Sequence, residues 1–296
     1  MIRKNDILWK GILEEVFPDL LLFLFPDAES RFNMKRKVVF LDKELAELYP
    51  APEKNADTRF VDKLVKVYTK AGTVKYLLIH IEVQGQYDME FTKRMWTYFY
   101  RIYDRFLGQP VIPIAIFTGP DGKRMGDRFE LAYEGMELTY KFNTLHIIDF
   151  KDKDLEASNN PFALVLLAAK KLLLKGKNLD KRLLEQKLFI ARLLYRKGVF
   201  SRKKIRAVLT FLDNYVLFEK PEMNRIFREE LDSLSGKNNT MGIIEQVAEM
   251  KANEKAARLL LENTDFSVSK VAELVGIPVD LVKKVKASLR AKLQVK

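Results

Sequence analysis

The residue types best suited to chemistry in this chain are two acids and an amide, Asp62, Glu82 and Gln84. They belong to two stretches, 59–68 and 74–84, which are rich in Val, Ile, Leu, Tyr and Phe and are joined by a short Gly-containing break. This pattern is typical of a β-hairpin. We therefore expect the pairing of the two arms to bring Asp62 within reach of Glu82.

Alternation along the second arm groups its polar side chains. Successive residues of a strand point to opposite faces, so His80, Glu82 and Gln84 share one face. A half-buried strand that shows water a polar face explains this pattern, but the adjoining apolar residues Leu77 and Leu78 indicate a central strand. A carboxylate there must be paired or bind a cation, because an isolated buried charge is costly. Two converging carboxylates with room for water suit Mg²⁺.

The order of these residues carries a resemblance to known nucleases. Asp62, nineteen residues, and then Glu82-Val83-Gln84 resemble the core motif of PD-(D/E)XK nucleases, with Gln84 at the usual Lys position. More narrowly, the chain resembles the Rpn family of recombination-promoting nucleases, whose members are also described as transposases and in which this Gln is usual. The likeness covers roughly residues 6–118 and includes Asp6 to Lys10 with Glu14, Val39 to Leu45, Arg94 to Tyr98, and Pro113 to Phe117.

The resemblance implies a fold and an activity. The fold is α/β, a PD-(D/E)XK-type core with a central mixed sheet flanked by helices, followed by an all-α C-terminal half. The activity is that of a Mg²⁺-dependent DNA endonuclease that promotes recombination or is associated with mobile elements, with Mn²⁺ as a substitute ion. Because Gln84 removes a positive charge near the attacking water, we expect modest activity.

Roles follow from the resemblance residue by residue. The ion would be held by the carboxylates of Asp62 and Glu82 and the backbone carbonyl of Val83, and Gln84 would position the attacking water. The acid set would be completed from the first predicted helix (7–25) by Glu14, with Glu15 as the fallback.

Basic and aromatic residues near this motif predict contacts with nucleic acid. In the predicted helix 88–107, Arg94, Tyr98 and Arg101 follow one stripe, and Arg recognises phosphate in bidentate geometry. Lys10 in the first helix is a further candidate. Arginines on a solvated helix face are also ordinary, so the match of Arg94 and Tyr98 to the family pattern is what favours them.

The net charge of +12 lies entirely in the second half of the chain. Residues 1–150 hold 22 basic and 22 acidic side chains, so the whole excess belongs to residues 151–296. A one-sided basic field attracts polyanions such as DNA, although Lys-rich helical surfaces are also common in soluble proteins. We expect three segments: a nuclease-like domain over 1–150, a helical bundle over 151–236, and a C-terminal helix with a helix-turn-helix-like segment over 237–296.

The helix-turn-helix interpretation concerns residues 267–285. Counting from Val268, small Ala272 falls at the fifth position and Gly276 at the ninth, where the turn is expected. Lys283 and Lys284 would add phosphate contacts. The second helix begins without Arg, Asn or Gln, which favours packing or dimerisation over base recognition.

Composition excludes several other classes of site. The chain has no Cys and only two His, so disulfides, thiolate metal sites and multi-histidine zinc sites are not expected. Its most apolar run, 20–25, is far short of the ~20 residues that span a bilayer. We find no signal peptide pattern, and expect a cytoplasmic protein without membrane association or a small-molecule cofactor.

Two other functions stay open. The first is a non-catalytic DNA-binding or recombination accessory protein that keeps the nuclease core as a scaffold. The second is an RNase or toxin with the same core, since the sequence does not separate DNA from RNA. A homodimer would supply the two sites that cutting both strands requires.

Overall fold

The computed structural model describes residues 2–48, 61–70, 75–174 and 176–234, and, nearer the C-terminus, 257–262, 264, 266–275, 279, 282–283 and 285–286. The chain divides into two compact units, Met1–Phe227 and Arg228–Lys296. The first unit holds the predicted hairpin. No helix within the described ranges is long and apolar enough to cross a membrane.

The strands are β1 (Val39–Phe40), β2 (Val61–Tyr68), β3 (Tyr76–Gln84), β4 (Val111–Phe117), β5 (Arg128–Tyr133), β6 (Met136–Lys141) and β7 (Asn143–His146). The α-helices are α1 (Ile2–Leu24), α2 (Ala28–Arg31), α3 (Asp42–Leu48), α4 (Phe91–Arg105), α5 (Asp152–Ala157), α6 (Pro161–Lys171), α7 (Leu179–Arg196), α8 (Arg202–Tyr215), α9 (Pro221–Leu234) and α10 (Val268–Val275). Short 3₁₀ helices cover Pro120–Arg124, where the sequence predicts a turn, and Ile147–Asp149.

The central sheet is mixed. Its strand order is β1-β2-β3-β4-β7, with antiparallel pairing from β1 to β3 and parallel pairing from β3 to β7. The parallel step from β3 to β4 requires a crossover, and α4 supplies it. Strands β5 and β6 form a separate antiparallel ribbon. The predicted α/β class, a mixed sheet flanked by helices with a helical part after it, is confirmed.

The structure contains the predicted hairpin and gives its register. Strands β2 and β3 pair from Val61↔Val83 to Tyr68↔Tyr76, and Asp62 is the partner of Glu82. Every residue of β3 from Leu77 to Gln84 is buried. A strand buried on both faces is central, as the apolar run at its start predicts.

Helix α1 ties the sheet to the later helices. Its interior Pro18 lacks an N–H and crowds the carbonyl of Glu14 one turn earlier, and the helix bends at Val16, where φ is −118° and ψ is 21°. At the start of α1, the buried Trp9 packs edge-on against Phe211 and Tyr215 of α8, with ring centroids 5.2 and 6.0 Å away. The segments 1–150 and 151–236, predicted as separate domains, therefore share one compact unit as far as Phe227.

The helical part of this unit is organised around α6. All residues from Pro161 to Ala169 are buried, and a helix that is apolar all round belongs inside a core. Asn160 caps it by accepting a hydrogen bond from the N–H of Phe162. Ser201 does the same at α8, where it accepts from the N–H of Lys204.

The second unit is described around one small apolar cluster. Ala257, Val271, Ala272 and Val282 are buried together. Lys283 is exposed. The predicted turn residue Gly276 and the predicted phosphate contact Lys284 lie outside the described residues.

Candidate functional site

Glu82 is the acidic centre of the candidate site. Its side chain is 0% exposed although it carries a carboxylate. Its ladder partners are Asp62 on β2 and Ala115 on β4. The side chain of Asp62 lies outside the described residues, so the structure establishes the pairing of the two positions. Residues directly opposite in an antiparallel pair generally have Cβ atoms about 4.5–5.5 Å apart.

Gln84 is buried two residues further along the same face, and its amide orientation is set by two partners. Its Nε2 donates to the carbonyl of Gln86 at 2.8 Å. Its Oε1 faces Nη2 of Arg94 at 3.5 Å. One N–H and part of the oxygen's accepting capacity remain for a further ligand such as water.

Arg94 of α4 is held inside the site. Its side chain is 11% exposed, and Nη1 donates to the carboxylate of Asp88 while Nη2 faces Gln84. Arg94 therefore connects the helix, the loop before it and the end of β3. The sequence predicts a phosphate contact for Arg94, and the structure shows a guanidinium that already organises protein groups.

His80 lies beside Glu82 on the same face of β3. It is 0% exposed, and its Nε2 is 3.8 Å from Glu82 Oε1. Its ring packs on that of Tyr98 of α4, with centroids 4.9 Å apart. Burial, with a smaller contribution from the positive charge of Arg94, lowers the pKa of His80 to about 3. The ring is therefore neutral at ordinary pH.

Tyr98 and Arg101 lie at different depths. Tyr98 is buried in a cluster with Leu64 and Leu78, so its ring supports His80 and lacks the exposed surface that a phosphate contact needs. Arg101 donates from Nη1 to the carbonyl of Leu48, the last residue of α3, at 2.9 Å. This bond joins α3 to α4.

Glu14 lies on the other face of the sheet from Glu82. It accepts a hydrogen bond from Lys63 Nζ, which also donates to Asp42. Lys63 precedes Leu64, and Leu64 packs on the α4 side with Tyr98. Since neighbouring residues of a strand point to opposite faces, Lys63 and Glu14 belong to the α1 side. The structure does not bring Glu14 to Glu82.

The remaining predicted residues are more scattered. The fallback acid Glu15 pairs with Lys203 at 2.7 Å, which also keeps it away from Glu82. Lys10 is half-buried on α1, and Val83 is a buried residue paired with Ile116 of β4. Lys283 belongs to the second unit.

Sequence reasoning missed Lys63, Asp42 and Asp88. A signal for Lys63 was present, because it occupies the strand face of Val65 and Val67, where only apolar residues are expected. Lys63 is 1% exposed, and its ammonium group lies 5.0 Å from the centre of the Phe40 ring. The partner of Asp42, Lys63, is 21 residues away, so no local pattern marks that acid. Asp88 lies only six residues before its partner Arg94.

The loop after β4 closes tightly over the end of β3. A Cβ atom on Gly119 would lie 2.0 Å from the carbonyl oxygen of Gly85, so only glycine allows this approach. The N–H of Thr118 donates to the carbonyl of Gln84 at 2.9 Å. These contacts hold the backbone at the end of β3 and so fix the position of Gln84.

The donors on this face suit a hard cation. They are the carboxylate oxygens of Glu82 and backbone oxygens, next to the paired position of Asp62, and Mg²⁺ commonly takes one or two carboxylates and keeps several waters. Within the described ranges no three His, Asp or Glu side chains form a metal-binding group, so the fit depends on Glu82 together with the position of Asp62.

Comparisons of the chain with protein-family models, with curated protein sequences and with solved structures give no match.

Proposed function

We propose that the chain is a Mg²⁺-dependent DNA endonuclease of the Rpn type, built on a PD-(D/E)XK-like core. The sheet supports this through its order of elements, an antiparallel β1-β2-β3 meander followed by α4 and the parallel strand β4. The acid at the start of β2 and the Glu-x-Gln at the end of β3 stand at adjoining positions of this sheet.

One observation carries the proposal: the fully buried Glu82 is the ladder partner of a second acid, Asp62. Two acid positions paired across neighbouring strands, one of them fully buried, suit a divalent cation, because such an ion takes one or two protein carboxylates. Arg94, beside Gln84, pairs with Asp88.

The roles of the residues follow from their placement. Asp62, Glu82 and the carbonyl of Val83 would hold Mg²⁺, which lowers the pKa of a bound water and stabilises charge on the phosphate. Gln84, oriented by Arg94 and the Gln86 carbonyl, would hold the attacking water by its remaining N–H and oxygen. Arg94 supplies a positive charge beside this amide, where the superfamily usually has Lys.

The substrate class follows from charge. The excess of positive charge lies entirely in residues 151–296, and a basic field raises local affinity for nucleic acid. DNA is the first substrate to test. Cleavage of RNA of the same sequence is measured beside it, because preferential cleavage of the RNA would favour the ribonuclease alternative.

The test is plasmid nicking by the purified chain with Mg²⁺, Mn²⁺, Ca²⁺ or EDTA. We expect cutting with Mg²⁺ or Mn²⁺ that disappears with EDTA and in Asp62→Ala and Glu82→Ala. Asp104→Ala, which removes an exposed acid from α4, is the matched control and should cut like the wild type. Cutting that survives in the Asp62 and Glu82 double variant would refute the assignment.

The complete burial of Glu82 favours a second candidate, a non-catalytic DNA-binding accessory protein. A substrate phosphate must reach the metal, and the Glu82 carboxylate is closed to solvent among the described residues. This alternative would be established if the chain shifts DNA in a gel equally with and without EDTA and gives no cut product with any divalent ion.

A further inference from the structure

His80 is a buried polar residue whose ring nitrogens make no hydrogen bond with the described residues. Its side chain is 0% exposed. Leaving a buried donor or acceptor without a hydrogen bond is energetically costly. Buried unsatisfied groups of this kind often mark a functional requirement or a bound ion or water.

The position of the ring directs one nitrogen toward Glu82. Nε2 lies 3.8 Å from Glu82 Oε1, which is longer than a hydrogen bond. Two donors that bind one ion at about 2.0–2.2 Å lie roughly 3–3.5 Å apart. A small rotation of either side chain therefore brings both atoms onto a shared ion.

The ring is also held for this role by its surroundings. Tyr98 packs on it at 4.9 Å between centroids, and its ladder partners are Leu64 on β2 and Pro113 on β4. None of these three side chains competes strongly for the ring nitrogens. Glu82 is one alternation away along the same strand face.

We propose that His80 is a ligand, through Nε2, of the same divalent ion that Glu82 and Asp62 hold, and that the site therefore prefers Mn²⁺ and later first-row ions to Mg²⁺. This inference rests on the proposed metal site. Mg²⁺ takes oxygen ligands almost exclusively, whereas imidazole is a good ligand for transition-metal ions. An oxygen-only site and a site with one imidazole thus differ in metal preference, even when both support the same hydrolysis.

The chain has two histidines, His80 and His146, so an imidazole nitrogen bound to the ion can be assigned by replacing each in turn. Electron spin echo spectra of the Mn²⁺-loaded full chain report whether a ¹⁴N nucleus is bonded to the ion. We expect ¹⁴N modulation in the wild type, its loss in His80→Gln, and its retention in His146→Gln, the matched control. Competition titrations without DNA should show Mn²⁺ bound more tightly than Mg²⁺, with a preference at least roughly tenfold smaller in His80→Gln.

Folding is checked separately, because His80 is a core residue. Circular dichroism and thermal unfolding are recorded for His80→Gln and for His80→Phe, which keeps a packed ring beside Tyr98 but offers no nitrogen. A folded His80→Phe that loses the Mn²⁺ preference supports ligation.

The outcomes separate this inference from the proposed function. Metal binding that requires Glu82 but shows no ¹⁴N modulation, with an unchanged Mn²⁺ to Mg²⁺ ratio in His80→Gln and His80→Phe, would overturn the inference and leave the metal site standing. Wild-type binding no stronger than that of Glu82→Ala would overturn both.

Discussion

The carboxylate of Glu14 in α1 accepts a hydrogen bond from the ammonium group of Lys63, which is buried in β2 next to Asp62. Asp42, the first residue of α3, binds the same ammonium group. One lysine thus links α1, α3 and the start of β2. Glu14, which the family resemblance assigns to the metal site, holds the strand from the opposite face.

Glu14→Gln should reduce stability and spare metal binding. Removing one charged partner of a buried ammonium weakens a charge-assisted bond, and because Glu14 is half exposed, we expect a loss of about 1–2 kcal/mol in the free energy of unfolding. Urea denaturation measures it, and Mn²⁺ titration measures binding. Glu47→Gln, at an exposed position of α3, is the control. If Glu14→Gln folds but no longer binds metal, Glu14 is part of the metal site after all.

The stability of the metal-free protein should depend on His80 in acid. Burial and Arg94 lower the pKa of His80 to about 3 in the folded state, below its ordinary value of 6.5. Between these two values the unfolded chain binds a proton that the folded chain does not, so stability rises with pH and is lost as pH falls.

We expect His80 to contribute a loss of roughly 2 kcal/mol between pH 7 and pH 5. Urea denaturation in EDTA at several pH values, compared between the wild type and His80→Phe, isolates this contribution. Parallel curves for the two proteins would show that His80 takes up its proton equally in both states.

Arg94→Lys should reduce the rate of cleavage more than the affinity for DNA. Lys keeps the charge but loses the planar fork that reaches Asp88 and Gln84 together. We expect roughly tenfold or slower cleavage of bound DNA, because the amide of Gln84 is no longer fixed. Single-turnover rates and binding at several salt concentrations separate the two effects.

Arg105→Lys, at an exposed position of the same helix, is the matched control and should leave the cleavage rate unchanged. The opposite result would be a changed affinity for DNA, with a changed salt dependence, and an unchanged rate of cleavage. Arg94 would then be a phosphate contact, as the sequence predicts.

The fragment 1–150 should not fold cooperatively by itself. It lacks Phe211 and Tyr215, which cover the buried Trp9, and it lacks α6. In a Trp96→Phe background, Trp9 fluorescence should report a solvent-exposed indole in 1–150 and a buried one in the fragment 1–234. A sharp denaturation curve with buried Trp9 in 1–150 would establish an independent first domain.

Local pattern was sufficient for the secondary elements. The alternation and apolar content of residues 59–84 predicted the hairpin and the nearness of Asp62 to Glu82, because side-chain period and a short turn limit the possible registers. The helices α7, α8 and α9 follow from their 3.6-residue periodicity in the same way.

Long-range contacts were not predictable in this way. Lys63 meets Glu14 across 49 residues, and Trp9 reaches α8 across some two hundred, so no window of sequence contains both partners. The boundary expected near residue 150 reflected a real change in composition. The apolar surface of α1 nevertheless joined the two sides into one core, because burial acts between faces wherever the chain brings them together.

The sequence by itself determined the α/β class, the hairpin and the pairing of the Asp62 and Glu82 positions, since these depend on residue type and short-range spacing. Only the tertiary structure decided which polar groups share an environment. In the folded chain Glu14 pairs with Lys63, Tyr98 is buried against His80, and Arg94 faces Gln84. The reason is physical: a charged or polar side chain is placed by the partner that compensates its burial, and that partner is chosen by packing in space.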